Sequence, residues 1–201
     1  MQIKDGKLLY HLTTIDCFES IVQYGLLSRN ALIKAQLEFT DTANHEILLG
    51  RDRLGLESFI PFHFHIHTRY DTYVKDNNKD KEFIYLCLKR SFAQQNNFSV
   101  LPLHPTSTEQ PNIYPYTEGI EHIDWDTMEL KKTDDLPIGI TERYRNQVRM
   151  AECLSPDPIQ IECFNSIIVK NAENKFFVAK TLRQNNKAFN PPYININPKY
   201  F

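Results

Sequence analysis

The sequence has 201 residues, the length of one domain or of two small ones. Hydrophobic residues are 41 %, charged residues 24 % and aromatic residues 12 %, a balance that is typical of globular proteins and excludes a disordered linker. The net charge of −2 excludes a uniformly basic surface, so a nucleic acid would need a local basic groove. No apolar run approaches the ~20 residues of a membrane span. The N-terminus does not resemble a signal peptide and the four cysteines are widely spaced, which predicts a cytoplasmic protein with reduced thiols.

Short strands and helices follow one another without regular alternation. The predicted strands are 8–12, 59–66, 83–88, 150–154, 166–169 and 193–196. The predicted helices are 14–25 (with Thr14 as N-cap and Gly25 as its end), 44–56, 89–95, 120–130, 141–149 and 172–184. Residues 99–120 contain four prolines and no periodicity, so we expect a long loop there. This order predicts one α+β domain over residues 1–201.

Common nucleotide-binding and hydrolase motifs are missing from the sequence. It contains no GxxxxGK(S/T), GxGxxG, HExxH or GxSxG motif. His63, His65 and His67 alternate along a predicted strand, which places the three imidazoles on one face. The pattern fits either a zinc site completed by Asp71 or simply a polar strand face, and no further ligand cluster favours the metal.

A few polar residues stand in unusual surroundings. Glu152 lies in the apolar run Met150 to Leu154, where a carboxylate is either an outward-facing strand residue or a functional group with a partner. His11 ends an apolar strand just before a predicted helix, a position that fits a core histidine as well as a site residue. Arg51 and Arg53 form a small charged cluster that alone would be interpreted as a solvated helix face.

Taken in order, these segments resemble the DarT family of DNA-targeting ADP-ribosyltransferase toxins. The resemblance spans nearly the whole chain, although its anchored positions cover about a fifth of it. The matching segments are Tyr10-His11-Leu12-Thr13-Thr14-Ile15-Asp16, Ile21 to Gly25 with Leu26-Leu27, Arg51-x-Arg53, Ile60-Pro61-Phe62-His63-Phe64, Met150-Ala151-Glu152-Cys153-Leu154 and Pro198-Lys199-Tyr200-Phe201.

The resemblance implies an ADP-ribosyltransferase-like single domain with a central split β-sheet flanked by helices. It also implies transfer of ADP-ribose from NAD⁺, as co-substrate, to a base in single-stranded DNA, with no metal. A macrodomain antitoxin that removes the modification is the implied partner. The sequence departs from the family after the PFxF strand, where only Arg69 and Tyr73 correspond, so the identity of the target base stays open.

Roles for individual residues follow from the same resemblance. Glu152 would stabilise the oxocarbenium-like ribose and serve as general base, helped by Arg51, which polarises the acceptor base or holds the NAD⁺ phosphates. The implied NAD⁺ contacts are His11 (to the adenosine ribose or the nicotinamide amide), Thr13, Phe62, Phe64, Arg69 and Tyr73. For the two phenylalanines, stacking on nicotinamide and packing in the core are equal alternatives.

The DNA strand would lie in a local groove that combines cations with aromatic rings. The candidate phosphate contacts are Arg53, Arg143, Arg145, Arg149 and Lys199, and Tyr114 and Tyr116 are either stacking platforms or ordinary loop residues. Three other functions remain open: ADP-ribosylation of RNA or protein, non-catalytic binding of NAD⁺ or nucleic acid, and hydrolysis by a metal bound to the histidine row.

Overall fold

The computed structural model describes residues 2–40, 45–106, 112–185, 187 and 190–201. Within these residues, eight strands form one sheet. The strands are β1 (Leu8–Thr14), β2 (Ile60–His63), β3 (Phe83–Lys89), β4 (Ser99–Leu101), β5 (Tyr114–Pro115), β6 (Glu152–Ser155), β7 (Ser166–Val169) and β8 (Tyr193–Ile196). Their order across the sheet is β5-β4-β6-β2-β1-β3-β7-β8.

Helices surround this sheet. They are α1 (Phe18–Tyr24), α2 (Arg29–Lys34), α3 (His45–Arg53), α4 (Arg69–Asn77), α5 (Arg90–Gln95), α6 (Tyr116–Glu121), α7 (Trp125–Glu129), α8 (Glu142–Val148) and α9 (Ala172–Gln184). The α+β class expected from the sequence is confirmed. No helix in the described part of the chain is long and apolar enough to cross a membrane.

Strand pairing follows the connections between strands. β1 lies between β2 and β3, and β2 pairs with β6, all antiparallel. β7 and β8 run parallel, because α9 returns the chain to the edge of the sheet at which β7 begins. The register of β2 and β6 sets His63 opposite Glu152, and directly opposite residues of an antiparallel pair point to the same face.

The core lies against the central strands. The first six residues of β3 and all of β7 are buried, which explains why both are continuous apolar runs in the sequence. The largest cluster joins α1, α9 and the sheet. Gly25 ends α1 as predicted, with φ of 85°, and the next residue, Leu26, forms a bridge with Ile159.

Several boundaries differ from the predicted ones. Thr14 ends β1 and makes no capping bond; a 3₁₀ turn follows, and α1 begins only at Phe18. β2 stops at His63 rather than at residue 66. Helix α2 was not predicted, because its six residues carry too little periodicity.

The prediction of a loop over residues 99–120 is wrong for the described residues of that range. It contains β4, β5 and the start of helical structure at Tyr116, while residues 107–111 lie outside the described residues. β4 is only three residues long and depends on pairing with β6, a contact between distant parts of the sequence. The predicted helix 120–130 is likewise divided between α6 and α7.

Candidate active site

A cavity opens where β1, β2 and β6 are neighbours in the sheet. β1 contributes His11 and Thr13, β2 contributes His63, and β6 contributes Glu152. Arg51 reaches the same cavity from the last turn of α3. The structure therefore brings together five of the residues singled out in the sequence, from four separate elements.

The floor of this cavity holds a buried ion pair. Arg51 Nη1 donates to Glu152 Oε2 over 2.6 Å, and only 10 % of the arginine side chain and 5 % of the glutamate side chain are exposed. The other guanidinium nitrogen, Nη2, donates to the carbonyl oxygens of Leu56 at 3.0 Å and Phe59 at 3.2 Å. Because three acceptors fix the guanidinium, it holds the carboxylate in one orientation.

Glu152 remains ionised in this setting. Burial alone would raise the pKa of its carboxyl group, but the positive charge of Arg51, followed by interactions with His104 and His63, brings the pKa below its ordinary value. A carboxylate with a lowered pKa is a fixed negative charge and a weak base. Such a group can stabilise positive charge that develops on a substrate in the cavity.

His11 is held as a neutral imidazole at the cavity wall. Its Nδ1–H donates to the carbonyl oxygen of Pro61 over 2.8 Å, and its ring lies 5.6 Å from that of Phe62. Burial lowers the pKa of His11 to about 4, so the ring carries no charge at neutral pH. The Nε2 atom of this tautomer is a hydrogen-bond acceptor.

A second cavity adjoins the first. Its lining includes Arg69 and Tyr73 from α4 and Arg143 from α8. The two cavities share Ile47, Tyr70 and His104, which form the wall between them. A ligand in the second cavity therefore lies next to the cavity that holds the ion pair, with these side chains in contact with both spaces.

Comparison with known proteins identifies the family. A family model described as "DarT: ssDNA thymidine ADP-ribosyltransferase, DarT" matches residues 10–201, almost the entire chain. The chain belongs to the DarT family. The activity of the family is the NAD⁺-dependent ADP-ribosylation of thymidine in single-stranded DNA. The sequence resemblance implied this transfer to a base in single-stranded DNA but left the identity of the base open.

Solved structures share the DarT fold. Thermus sp. 2.9 DarT in complex with ADP-ribosylated ssDNA is 18 % identical over 97 % of this chain and 96 % of that chain, with a TM-score of 0.77. The same protein in complex with NAD⁺ is 16 % identical over 98 % of both chains, with a TM-score of 0.74. Thermosipho africanus DarTG in complex with ADP-ribose is 19 % identical over 98 % of this chain but 51 % of that chain, with a TM-score of 0.71. No curated protein matches the sequence.

Two of the predicted NAD⁺ contacts are core residues in this DarT chain. Phe62 and Phe64 are buried and neither lines a cavity described above. Phe62 packs against Phe98 at 6.2 Å between ring centroids, and Phe64 meets Trp125 edge-on at 5.6 Å. Of the two alternatives for these phenylalanines, packing in the core therefore replaces stacking on nicotinamide. The predicted NAD⁺ contacts Arg69 and Tyr73 line the second cavity rather than the one with Glu152.

The predicted DNA contacts separate into exposed and internal arginines. Arg145 is buried and donates to the carbonyl oxygen of Lys131 over 3.1 Å. Arg149 Nη1 donates to the carbonyl oxygens of Met128 and Leu130. These two arginines hold the C-terminal part of α8 against α7 and the segment that follows it, and the prediction that they bind phosphate is corrected accordingly. Arg143 is exposed in the second cavity.

The remaining DNA candidates do not line either cavity. Arg53 is exposed and donates to the carbonyl oxygen of Pro105 over 3.1 Å, and Lys199 is exposed in the turn after β8. Tyr114 stacks on His122 with ring centroids 3.9 Å apart, and Tyr116 packs against the core. Of the two alternatives for these tyrosines, the structure therefore favours ordinary packing over a stacking platform for DNA bases.

The histidine row does not converge on one point. Only His63 belongs to β2, since the strand ends there. His65 has backbone carbonyl oxygens within 2.8 Å of both ring nitrogens, from Ile66 and Arg149. His67 is exposed with φ of 59° and meets Tyr200 edge-on. Among the described residues no group of three His, Cys, Asp or Glu side chains is arranged to hold a metal.

Asp71 is likewise committed elsewhere. It forms a capping box with Thr68, whose backbone N–H donates to Oδ2 over 3.1 Å, and so fixes the start of α4.

Two residues of the shared wall were missed as functional candidates. His104 falls in the segment predicted to be a loop, where no pattern marked it. Tyr70 lies in the stretch that departs from the family pattern, where only Arg69 and Tyr73 were selected. Both are identified by the cavities that they separate, which are formed by chain segments distant in sequence.

Proposed function

We propose that this DarT chain transfers ADP-ribose from NAD⁺ to thymine in single-stranded DNA, with Glu152 and Arg51 at the reaction centre. The observation that carries this assignment is the buried Arg51–Glu152 pair on the floor of a cavity that also contains His11 and Thr13. The presence of the complete group also argues against a relative that only binds NAD⁺. The cytoplasm remains our expected location for the reaction.

The chemistry requires a negative charge beside the ribose. When the bond between nicotinamide and ribose breaks, nicotinamide leaves as a neutral molecule and the ribose becomes an oxocarbenium-like cation. Glu152 stabilises that cation and accepts a hydrogen bond from the ribose 2′-hydroxyl, while Arg51 keeps the carboxylate ionised and oriented. We assign His11 and Thr13 to binding NAD⁺ in the same cavity.

We assign the second cavity to the DNA strand. Arg69 and Arg143 supply cations for phosphate groups, and the half-exposed ring of Tyr73 supplies a surface for stacking a base. The target thymine enters past Tyr70 and His104, which line both cavities. The base has to be unpaired for its ring nitrogen to reach the ribose.

An antitoxin partner is part of the proposal. Thermosipho africanus DarTG is matched over about half of its length, so that protein carries a further part that this chain does not match. We propose that a macrodomain antitoxin removes the modification made by this enzyme.

The decisive experiment is mass spectrometry of single-stranded oligonucleotides after incubation with the protein and NAD⁺. The oligonucleotides are matched pairs with and without thymine, and an RNA of the same sequence is included. We expect one ADP-ribose on the thymine-containing DNA only. Glu152→Gln should reduce the rate by a factor of about 10²–10³, while Glu162→Gln, which changes an exposed glutamate paired with Lys187, should not.

Each alternative has its own outcome. Label on RNA, or on the enzyme itself, in place of DNA would move the assignment to another target. Full activity of a folded Glu152→Gln protein would refute the role of Glu152. Binding of NAD⁺ with no product on any nucleic acid would favour a non-catalytic protein.

A further inference from the structure

The proposed reaction releases one proton that needs an acceptor. Thymine carries its only ring N–H at N3, and this proton must leave when N3 bonds to the ribose. Glu152 is poorly suited to accept it, because Arg51 donates to its carboxylate over 2.6 Å and lowers its pKa. A neutral imidazole in the cavity is a better acceptor, and three histidines of the described part of the chain line it: His11, His63 and His104.

Hydrogen bonds to the backbone distinguish these three rings. His63 Nδ1 lies 3.2 Å from the carbonyl oxygen of Ala151, so Nδ1 carries the proton and Nε2 has a free lone pair. His104 is the opposite tautomer, because the backbone N–H of Thr106 can only donate to its Nδ1, over 3.3 Å. The Thr106 hydroxyl, 2.7 Å from the same Nδ1, then donates to it as well, and Nε2 carries the hydrogen. His104 can donate to a carbonyl oxygen but cannot accept a proton at Nε2.

Position separates His63 from His11. His63 is the cross-strand partner of Glu152, with which it shares a face of the sheet. Its ring centroid lies 6.2 Å from that of Tyr70, a residue of the wall between the two cavities. His11 instead packs beside Phe62, and its neighbour Tyr10 is the cross-strand partner of His63, so His11 does not share the face of His63 and Glu152. His63 is thus the accepting imidazole on the side from which the base arrives.

We propose that His63 is the general base that removes the N3 proton of the target thymine, an inference that rests on the proposed function. In this step the bond between nicotinamide and C1 of the ribose breaks, with its electron pair going to nicotinamide. N3 forms a bond to C1, and its proton passes to His63 Nε2. The positive charge that began on NAD⁺ ends on the imidazolium, which later returns the proton to water. The Ala151 carbonyl supports the charged ring through Nδ1–H.

Several titratable and charged groups surround His63. They are Tyr10 and His11 from β1, Arg51 from α3, Tyr70 from α4, Glu152 from β6, and His65 and His104.

The test compares His63→Gln with the wild-type enzyme in single-turnover reactions on a thymine oligonucleotide across pH. Glutamine keeps a polar side chain but cannot take the proton. We expect the rate at neutral pH to fall by a factor of about 10²–10⁴ and the rise of the rate with pH to disappear. The affinity for carba-NAD⁺ should change little. His122→Gln is the matched control, since this exposed imidazole stacks on Tyr114 outside both cavities.

A second variant guards against a structural effect. In His63→Ala the missing ring leaves space for free imidazole, and added imidazole should restore part of the rate in proportion to its concentration. If His63→Gln keeps more than about a third of the wild-type rate with an unchanged pH profile, the inference is overturned. If His63→Gln loses affinity for carba-NAD⁺, its lower rate could have a structural cause, and the imidazole experiment on His63→Ala then decides between the two. Absence of rescue by imidazole overturns the inference. Failure of the wild-type enzyme to modify DNA would refute the proposed function instead.

Discussion

Removing Arg51 should destabilise the protein strongly and in a way that depends on pH. In Arg51→Met the side chain keeps much of its volume, but Glu152 becomes a buried carboxylate without its partner, and two backbone carbonyls lose a donor. Breaking a buried ion pair in this way typically costs about 3–5 kcal/mol. That is a large share of the roughly 5–15 kcal/mol by which a domain is stable.

Urea denaturation at pH 7 and pH 4 measures this effect. In the wild type the lowered pKa of Glu152 contributes stability above the unfolded-state pKa of about 4.3, and this contribution is lost as the pH falls through the folded-state pKa. In Arg51→Met burial raises the pKa, so the carboxylate becomes protonated at low pH and its penalty disappears. The difference between the two proteins should therefore shrink from pH 7 to pH 4.

The double variant Arg51→Met/Glu152→Gln provides the control. Because the double variant removes the unpaired charge, its loss of unfolding free energy should be smaller than the summed losses of the two single variants. The difference, the coupling energy, should be about 0.5–3 kcal/mol. A loss below about 1 kcal/mol for Arg51→Met, equal at both pH values, would show that the pair is hydrated and contributes like a surface ion pair. Our account of the cavity floor would then be wrong.

Two further predictions separate structural residues from ligand-binding ones. Phe64→Ala should cost about 3–5 kcal/mol of stability in urea, because Phe64 packs in the core against Trp125, and should leave the affinity for carba-NAD⁺ unchanged; weaker binding at unchanged stability would contradict its placement. Arg143→Ala should reduce the slope of log K for single-stranded DNA against log salt by about 0.7. Arg145→Ala should leave that slope unchanged while lowering stability, because Arg145 is buried and bonded to Lys131; a reduced slope would return it to the DNA interface.

Local patterns in the sequence located most of the regular elements. β3, β7 and α9 were predicted within a residue or two, because each is defined by its own apolar pattern or caps. The short β4 and β5 were missed, since their few residues are strands only through pairing with neighbours from elsewhere in the chain. The strand expected up to residue 66 ends at His63, where its pairing with β6 stops.

Candidate site residues could be selected from the sequence, but their partners could not. His11, Arg51 and Glu152 were noticed as polar residues in unexpected surroundings, with support from the family resemblance. That Arg51 and Glu152 form an ion pair is a property of the tertiary structure, since 101 positions separate them. His104 gave no local signal at all, because its role depends on a wall between two cavities.

Composition and spacing determined that this chain is a single α+β domain with a negative residue in an apolar strand and several arginines near it. They did not determine which arginines face a ligand. Arg143 and Arg145 are two positions apart on one helix, yet Arg143 is exposed in a cavity and Arg145 is buried and donates to the carbonyl oxygen of Lys131. Exposure is decided by what the fold packs against each side of a helix, and the sequence of that helix does not contain this information.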